Sequence, residues 1–376
     1  MLVPFFKPSL PSWEAIEPDL KEMYSSGMLA PGKYGDRFLE KMKQYLNVRY
    51  TVGFNNCSSG LMALAGYMKK VTNRNKVIIP NFTFASSWQA GDWNNMDTIL
   101  VDTDQNGLIS IPQVEEILKK QGQEIAYIMA VHMFGNPAPV EDLQRLGIQY
   151  QVPIIYDSAH GLGSLYKNKR LGNWGAAEVF SFGTTKPLSA GEGGLLTTND
   201  PLLADAMQRA AQHGHKVGTL DVEVKSLNGR LQEWNSILAY YGVLDLEEQI
   251  VKRNELAQEY ISLLTQHLSN EVRLLIPDET NRSIWKDFTV VINNIDIEKL
   301  SKELMSCGIG TKRYYYPSID NLFVIKNKLT DTKIEKPVDL SQSHQLAQNC
   351  ISLPFYTDMT KDEINYVVQE LKKCLQ

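Results

Sequence analysis

Short, unbroken apolar runs recur through the first two-thirds of the chain: KVIIP (76–80), TILVD (98–102), IAYIMAVH (125–132), VPIIYD (152–157), AEVFSF (177–182) and GGLLTT (193–198). They are rich in Ile and Val and do not alternate with polar residues, the pattern of strands covered on both faces. Stretches with helical spacing, such as PQVEEILKKQG (112–122) and PVEDLQRLGIQY (139–150), separate several of them. Strand–helix alternation of this kind predicts an α/β class, with a mostly parallel central sheet and helices on both faces.

The pattern changes near residue 235. Residues 235–268 carry one long helical pattern with room for a single break. RLLIP (273–277) and WKDFTVVINN (285–294) read as strands, and IDIEKLSKELMSCG (295–308) as a helix. TKDEINYVVQELKKCL (360–375) reads as a terminal helix opened by a threonine cap. We therefore expect a large α/β domain over residues 1–240 and a smaller C-terminal α+β domain over 241–376.

The chain has 376 residues, 43% of them hydrophobic, enough for a core that can bury a cofactor. A net charge of -5 argues against a nucleic-acid partner. It leaves room for an anionic small molecule, since a local cluster such as Lys312 and Arg313 can act against the mean. The four cysteines, Cys57, Cys307, Cys350 and Cys374, are scattered and lack zinc-ligand spacing, as in a reduced, intracellular protein. The opening MLVPFFKPSLPSWEAIEPDL has neither the basic flank nor the apolar core of a signal peptide, and no apolar run would span a bilayer. The expectation is a cytoplasmic protein with no membrane partner. His213 and His215 are spaced like a chelating pair but have no carboxylate or cysteine beside them, so they read as solvated loop histidines and no metal is expected.

Chemistry in a parallel sheet collects at the carboxyl ends of the strands. There the sequence places Cys57-Ser58-Ser59-Gly60, the run from Pro80 to Phe84, His132, Asp157 with His160, and Ser181 with Lys186. Lys186 stands in SFGTTKPLSAGEGG (181–194). One reading is a surface lysine whose stem packs on the fold. Another is a lysine with a lowered pKa that attacks a carbonyl. Asp157 and Lys186 could likewise be only a buried ion pair. Pyridoxal phosphate, however, needs four things that this set can supply. It needs a lysine to bond to, and an acid for its pyridine nitrogen. It needs a phosphate cup, for which the start of the helix at Cys57 and Ser58 offers backbone N–H groups. It also needs a flat partner for its ring, for which Phe84 is the candidate and core packing the alternative.

With these residues in view, the chain resembles the DegT-type nucleotide-sugar aminotransferases, a family within the aspartate-aminotransferase fold of pyridoxal-phosphate enzymes. The resemblance runs from SSGMLAPGKYGDRFLEKMKQYL (25–46) to ISLPFYTDMTKDEINYVV (351–368). It is carried by NCSSGLMAL, VIIPNFTFASS, VHMFGNP, IIYDSAHGLGS, VFSFGTTKPLSAGEGG, SLNGRLQEWNSILAYYGVLDLE and GTKRYYYP. It implies that Lys186 forms a Schiff base with the cofactor and then moves a proton between cofactor and substrate carbons. Asp157 would pair with the pyridine nitrogen, and His160 would sit near the phenolic oxygen. Cys57, Ser58 and Ser181 would hold the phosphate, and Phe84 would stack on the ring.

Asn228 would reach the phosphate of a neighbouring subunit, which requires a homodimer with shared sites. Arg230 would line that shared site, with an ion pair to Glu233 as its alternative. Tyr315 and Tyr316, in a run of three tyrosines that cannot all point inward, would face the substrate. Departures from the family pattern fall at Ser158, Gly183 and Asp320, away from the lysine and its acid.

The implied reaction is transfer of the amino group of L-glutamate to a nucleotide-linked keto-deoxysugar, with a lean toward 4-keto-6-deoxy sugars destined for lipopolysaccharide or O-antigen. A sugar dehydratase of the same fold would carry histidine in place of Lys186. A ring ketone other than a sugar, and a cofactor-binding sensor without turnover, remain as alternatives.

Overall fold

The computed structural model describes residues 1–216 and 218–376. Helices α1 (Trp13–Ser26) and α2 (Lys33–Leu46) precede strand β1 (Tyr50–Phe54). Next come α3 (Cys57–Thr72), β2 (Lys76–Pro80), α4 (Ala85–Asp92), β3 (Asp97–Val101), α5 (Ile111–Gln121), β4 (Ile125–Val131), α6 (Val140–Tyr150) and β5 (Ile154–Asp157). A two-stranded ribbon, β6 (Leu165–Tyr166) and β7 (Lys169–Arg170), leads to β8 (Ala177–Ser181), β9 (Gly194–Thr198) and α7 (Pro201–Ala211). The long helical pattern is two helices, α8 (Glu233–Leu244) and α9 (Leu246–Leu268), with the break at Asp245. The remainder is β10 (Val272–Leu274), β11 (Phe288–Ile292), α10 (Ile297–Ser306), α11 (Phe323–Lys326), β12 (Ile334–Glu335), α12 (Ser341–Asn349), β13 (Cys350–Leu353) and α13 (Lys361–Leu375).

Eight strands form one sheet in the order β1-β9-β8-β5-β4-β2-β3-β12. The pairs from β8 through β12 are all parallel, while β9 runs antiparallel between β8 and β1. Alternate residues of one strand serve opposite faces. Val77 and Ile79 pack with Leu61 and Leu64 of α3 and with Met207 of α7. Ile78 faces the other way, with Val114 and Ile117 of α5 and Leu143 of α6. This explains the continuous apolar runs: every residue of β4 is buried, so a polar residue on either face would be desolvated. The expected α/β architecture is the observed one.

A second, three-stranded antiparallel sheet has the order β10-β11-β13. Tyr260 and Leu264 of α9, Leu300 and Leu304 of α10, and Ile364, Val367 and Leu371 of α13 share one core with it. Thr360 caps α13 as expected, in a reciprocal box with Glu363. One strand from the C-terminal region, β12, returns to close the edge of the large sheet beside β3.

Candidate active site

A cavity of about 510 Å³ opens where β2, β5 and β8 end. Its walls come from the β1–α3 turn (Asn56, Cys57, Ser58), the segment after β2 (Thr83, Phe84, Ser86), Asp157, Ala159 and His160 after β5, and Ser181 through Lys186 after β8. Lys286, Tyr314 and Tyr315 close it from the opposite side. Parallel strands gather their carboxyl ends at one edge, which is why segments distant in sequence meet here.

The β1–α3 turn presents the start of a 16-residue helix to this cavity. Asn56 Oδ1 accepts the backbone N–H of Ser59 at 2.8 Å, so the cap fixes the turn and directs the helix's partial positive charge. Gly194 allows this arrangement. A Cβ on it would lie 2.5 Å from the carbonyl carbon of Asn56 and 2.8 Å from the amide nitrogen of Cys57. Cys57 itself is buried, with Sγ 3.6 Å from the Val179 carbonyl and a thiol pushed well up by burial, so it offers its backbone and not its sulfur. Ser58 Oγ and Ser86 Oγ lie 2.7 Å apart on the wall.

Asp157 is buried at the end of β5. Its Oδ2 accepts the hydroxyl of Ser87 at 2.7 Å and its Oδ1 the backbone N–H of Ala159 at 3.1 Å. Burial raises its pKa above the usual aspartate value, and these two donors and the Lys186 charge oppose that rise. Lys186 is half-buried in the loop after β8, with its backbone N–H on the Gly183 carbonyl at 2.9 Å. Burial, and next the charge of Lys286, lower its ammonium to about 8, while Asp287, Cys57 and Asp157 pull the other way. The surface-lysine alternative is thereby set aside.

His160 is buried, and its Nδ1 accepts the backbone N–H of Phe134 at 3.2 Å. That places the ring proton of a neutral imidazole on Nε2, which lies 3.0 Å from Tyr315 Oη and donates to it. Burial, reinforced by Lys186 and Lys286, drives His160 well below its usual pKa, so the ring is neutral at pH 7. Phe134, His160 and Tyr315 form a near-parallel group with centroids 6.2 to 6.4 Å apart. Phe84 is 55% exposed, on the cavity, with its ring 5.7 Å from that of Tyr315, so it is not a core residue. Ser181 is half-buried on the same wall, and its Oγ accepts the Gly183 N–H at 3.3 Å.

Lys186, Asp157, His160, Ser58, Cys57, Ser181, Phe84 and Tyr315 thus line one cavity. Asn228, Arg230 and Tyr316 do not line it. Asn228 is exposed, and its Oδ1 accepts from Arg230 Nε at 3.2 Å. The Arg230–Glu233 ion pair is not formed. Glu233 is buried and its carboxylate instead accepts the backbone N–H groups of Gly32, Tyr34 and Gly35 at 2.8 to 3.0 Å, the start of α2. Tyr316 is exposed, with the Arg313 guanidinium 3.8 Å above its ring, and its neighbour Tyr314 faces the cavity. Three functional neighbours escaped the sequence reading: Ser87, Lys286 and Asp287. Lys286 and Asp287 had left a signal, two adjacent charges inside the strand-like run WKDFTVVI. His213 and His215 lie in a loop, 5.8 Å apart, and among the described residues no group of three potential metal ligands occurs.

Comparison with known proteins agrees with this geometry. The model of the DegT/DnrJ/EryC1/StrS aminotransferase family matches residues 13–372. The chain is 23% identical over 374 residues to the dTDP-4-amino-4,6-dideoxy-D-glucose transaminase of Shigella dysenteriae, covering 98% of this chain and 97% of that one. It is also 23% identical over 356 residues to the UDP-4-amino-4,6-dideoxy-N-acetyl-beta-L-altrosamine transaminase of Campylobacter jejuni, covering 93% of this chain and 92% of that one. The solved structure of Helicobacter pylori PseC, an aminotransferase involved in the biosynthesis of pseudoaminic acid, has the same fold, with a TM-score of 0.89 at 22% identity over 100% of this chain and 99% of that chain. With 360 of its residues under the family model, the chain belongs to the DegT/DnrJ/EryC1/StrS aminotransferase family.

Proposed function

We propose that this aminotransferase moves the amino group of L-glutamate to the keto carbon of a nucleotide-linked deoxysugar, 4-keto-6-deoxy in pattern. The observation that carries the reading is one cavity holding a lysine lowered to about 8 and a buried, doubly hydrogen-bonded aspartate.

The cofactor is pyridoxal phosphate, and the residues present fit it. Lys186 would bond to it, Asp157 would face its ring nitrogen, and Phe84 and His160 would flank the ring. The backbone of Cys57 and Ser58 at the start of α3, with the Ser58 and Ser181 hydroxyls, would hold its phosphate. When bound, the cofactor supplies an electron sink that lets a C–H bond beside nitrogen ionise. Lys186 provides the base: near neutral pH a substantial fraction of its amine is free to take a proton from one substrate carbon and return it to another. Asp157 stays fixed by Ser87 and Ala159, so its carboxylate is oriented before any ligand arrives. His160 and Tyr315, joined at 3.0 Å, orient one another and exclude water from that wall.

The two named curated relatives make 4-amino-4,6-dideoxy sugars on different nucleotides, which supports the 4-keto lean and leaves the base open. Such products suit surface polysaccharide such as lipopolysaccharide or O-antigen. Asn228 and Arg230, exposed and off the cavity of their own chain, suit a homodimer in which each subunit completes its neighbour's site. Among the described residues no helix is long and apolar enough to cross a membrane, consistent with cytoplasmic substrates.

The test is turnover. Purified enzyme with L-glutamate is given dTDP- and UDP-linked 4-keto-6-deoxy sugars, and separately a keto-cyclitol. Mass spectrometry should find the amino sugar together with 2-oxoglutarate. Amination of the cyclitol alone would move the substrate class, and no amination of any ketone would favour a sensor.

A further inference from the structure

The cavity that holds Lys186 holds a second lysine. Lys286 is 3% exposed, yet it lines the same wall as Tyr314 and Tyr315. Its ammonium lies 2.8 and 2.9 Å from the two oxygens of Asp287 and 4.8 Å from the centroid of the Tyr314 ring. Asp287 does not line the large cavity; it lines a small void next to Lys286, together with Arg253. Arg253 is buried too, and donates to the carbonyls of Ile284, Trp285 and Lys286. Burial lowers it only to about 10, so it stays a cation at neutral pH. Two cations therefore share one carboxylate. The cluster keeps a net positive charge, and the member that reaches the cavity is Lys286.

An amino-acid donor brings at least one carboxylate into this cavity, and an unpaired carboxylate removed from water is costly. Among the cavity-lining residues the lysines and arginines are Lys186 and Lys286. Lys186 is committed to the cofactor. His160 is neutral, and Asp157 and Glu192 are acids. An ammonium has three donors, of which the two oxygens of Asp287 need no more than two. A purely structural pair would explain Asp287 but not why the ammonium is turned to the cavity. We infer that Lys286, held by Asp287, binds the carboxylate of the amino donor. This assignment rests on the aminotransferase reading above.

The test uses the holoenzyme. Lys286→Met is compared with a Lys286→Met/Asp287→Leu variant, in which no carboxylate is left stranded and stability is protected. Each is followed by loss of the cofactor's absorbance band on adding L-glutamate and, separately, hydroxylamine, an amine with no carboxylate. The concentration of L-glutamate for half-maximal bleaching should rise about 30-fold or more in both variants. The hydroxylamine reaction should stay close to that of the wild type. An unchanged glutamate response in a reactive enzyme would overturn the assignment alone, as would an equal slowing with both reagents. A wild-type holoenzyme that no amino acid bleaches would overturn the aminotransferase reading and this assignment with it.

Discussion

Ser87 donates its hydroxyl to Asp157 across 2.7 Å, and Ser87 is itself held by Thr83 at 2.9 Å. The acid beneath the cofactor site is thus positioned by a hydroxyl pair at the start of α4 and not by a charged partner.

Asp157→Asn should therefore lower kcat/KM for L-glutamate by at least about 100-fold, because the ring nitrogen loses its counter-charge. Ser87→Ala should cost about 10-fold through Asp157 alone. The double variant should be no worse than Asp157→Asn, since the two residues act as a unit. Full additivity would show that Ser87 acts elsewhere.

Lys186 gives a pH dependence with a definite sign. Its folded pKa, about 8, lies below the ordinary 10.5, so the folded chain releases this proton earlier than the unfolded chain. The cost of the buried cation is fully present below pH 8 and relieved as pH rises from 8 to 10.5. Lys186→Met should accordingly stabilise the cofactor-free protein by about 1–3 kcal/mol at pH 7, with the gain fading across that window. Urea unfolding of both proteins at pH 7 and pH 10 measures it.

Glu233 stands far from the chemistry but anchors α2 through three backbone N–H groups. Glu233→Ala should cost about 2–3 kcal/mol of stability, as expected when a charge-assisted helix cap is removed and its donors are left without a partner. Denaturant unfolding should show it while the cofactor band of the folded protein stays in place.

Lys186 and Asp157 were legible in sequence because each follows a continuous apolar run, and such runs are what strands buried on both faces require. Strand β1, YTVGF, was not, since it is an edge strand with an exposed first residue and a central glycine, paired only to the antiparallel β9. Ser87 and Glu233 escaped for a different reason. Their partners lie 70 and about 200 positions away, and a serine or glutamate carries no local pattern that announces a long-range hydrogen bond. Tyr314, Tyr315 and Tyr316 could not be ranked without the backbone that turns two of them inward and one out.

The shared-site reading predicts complementation. Asn228→Ala and Lys186→Ala should each be inactive or nearly so as homodimers. Subunit exchange between them should restore activity, because one site of the mixed dimer then has both native residues. A mixture as inactive as its components would place Asn228 in its own subunit's site or outside any site.

The most direct test of the central claim is an absorbance spectrum of the purified protein before and after L-glutamate. The account predicts a yellow protein whose visible band bleaches on adding glutamate alone, and a Lys186→Ala variant that never shows this exchange. A protein that stays colourless when supplied with pyridoxal phosphate would contradict it, as would a Lys186→Ala variant that transaminates.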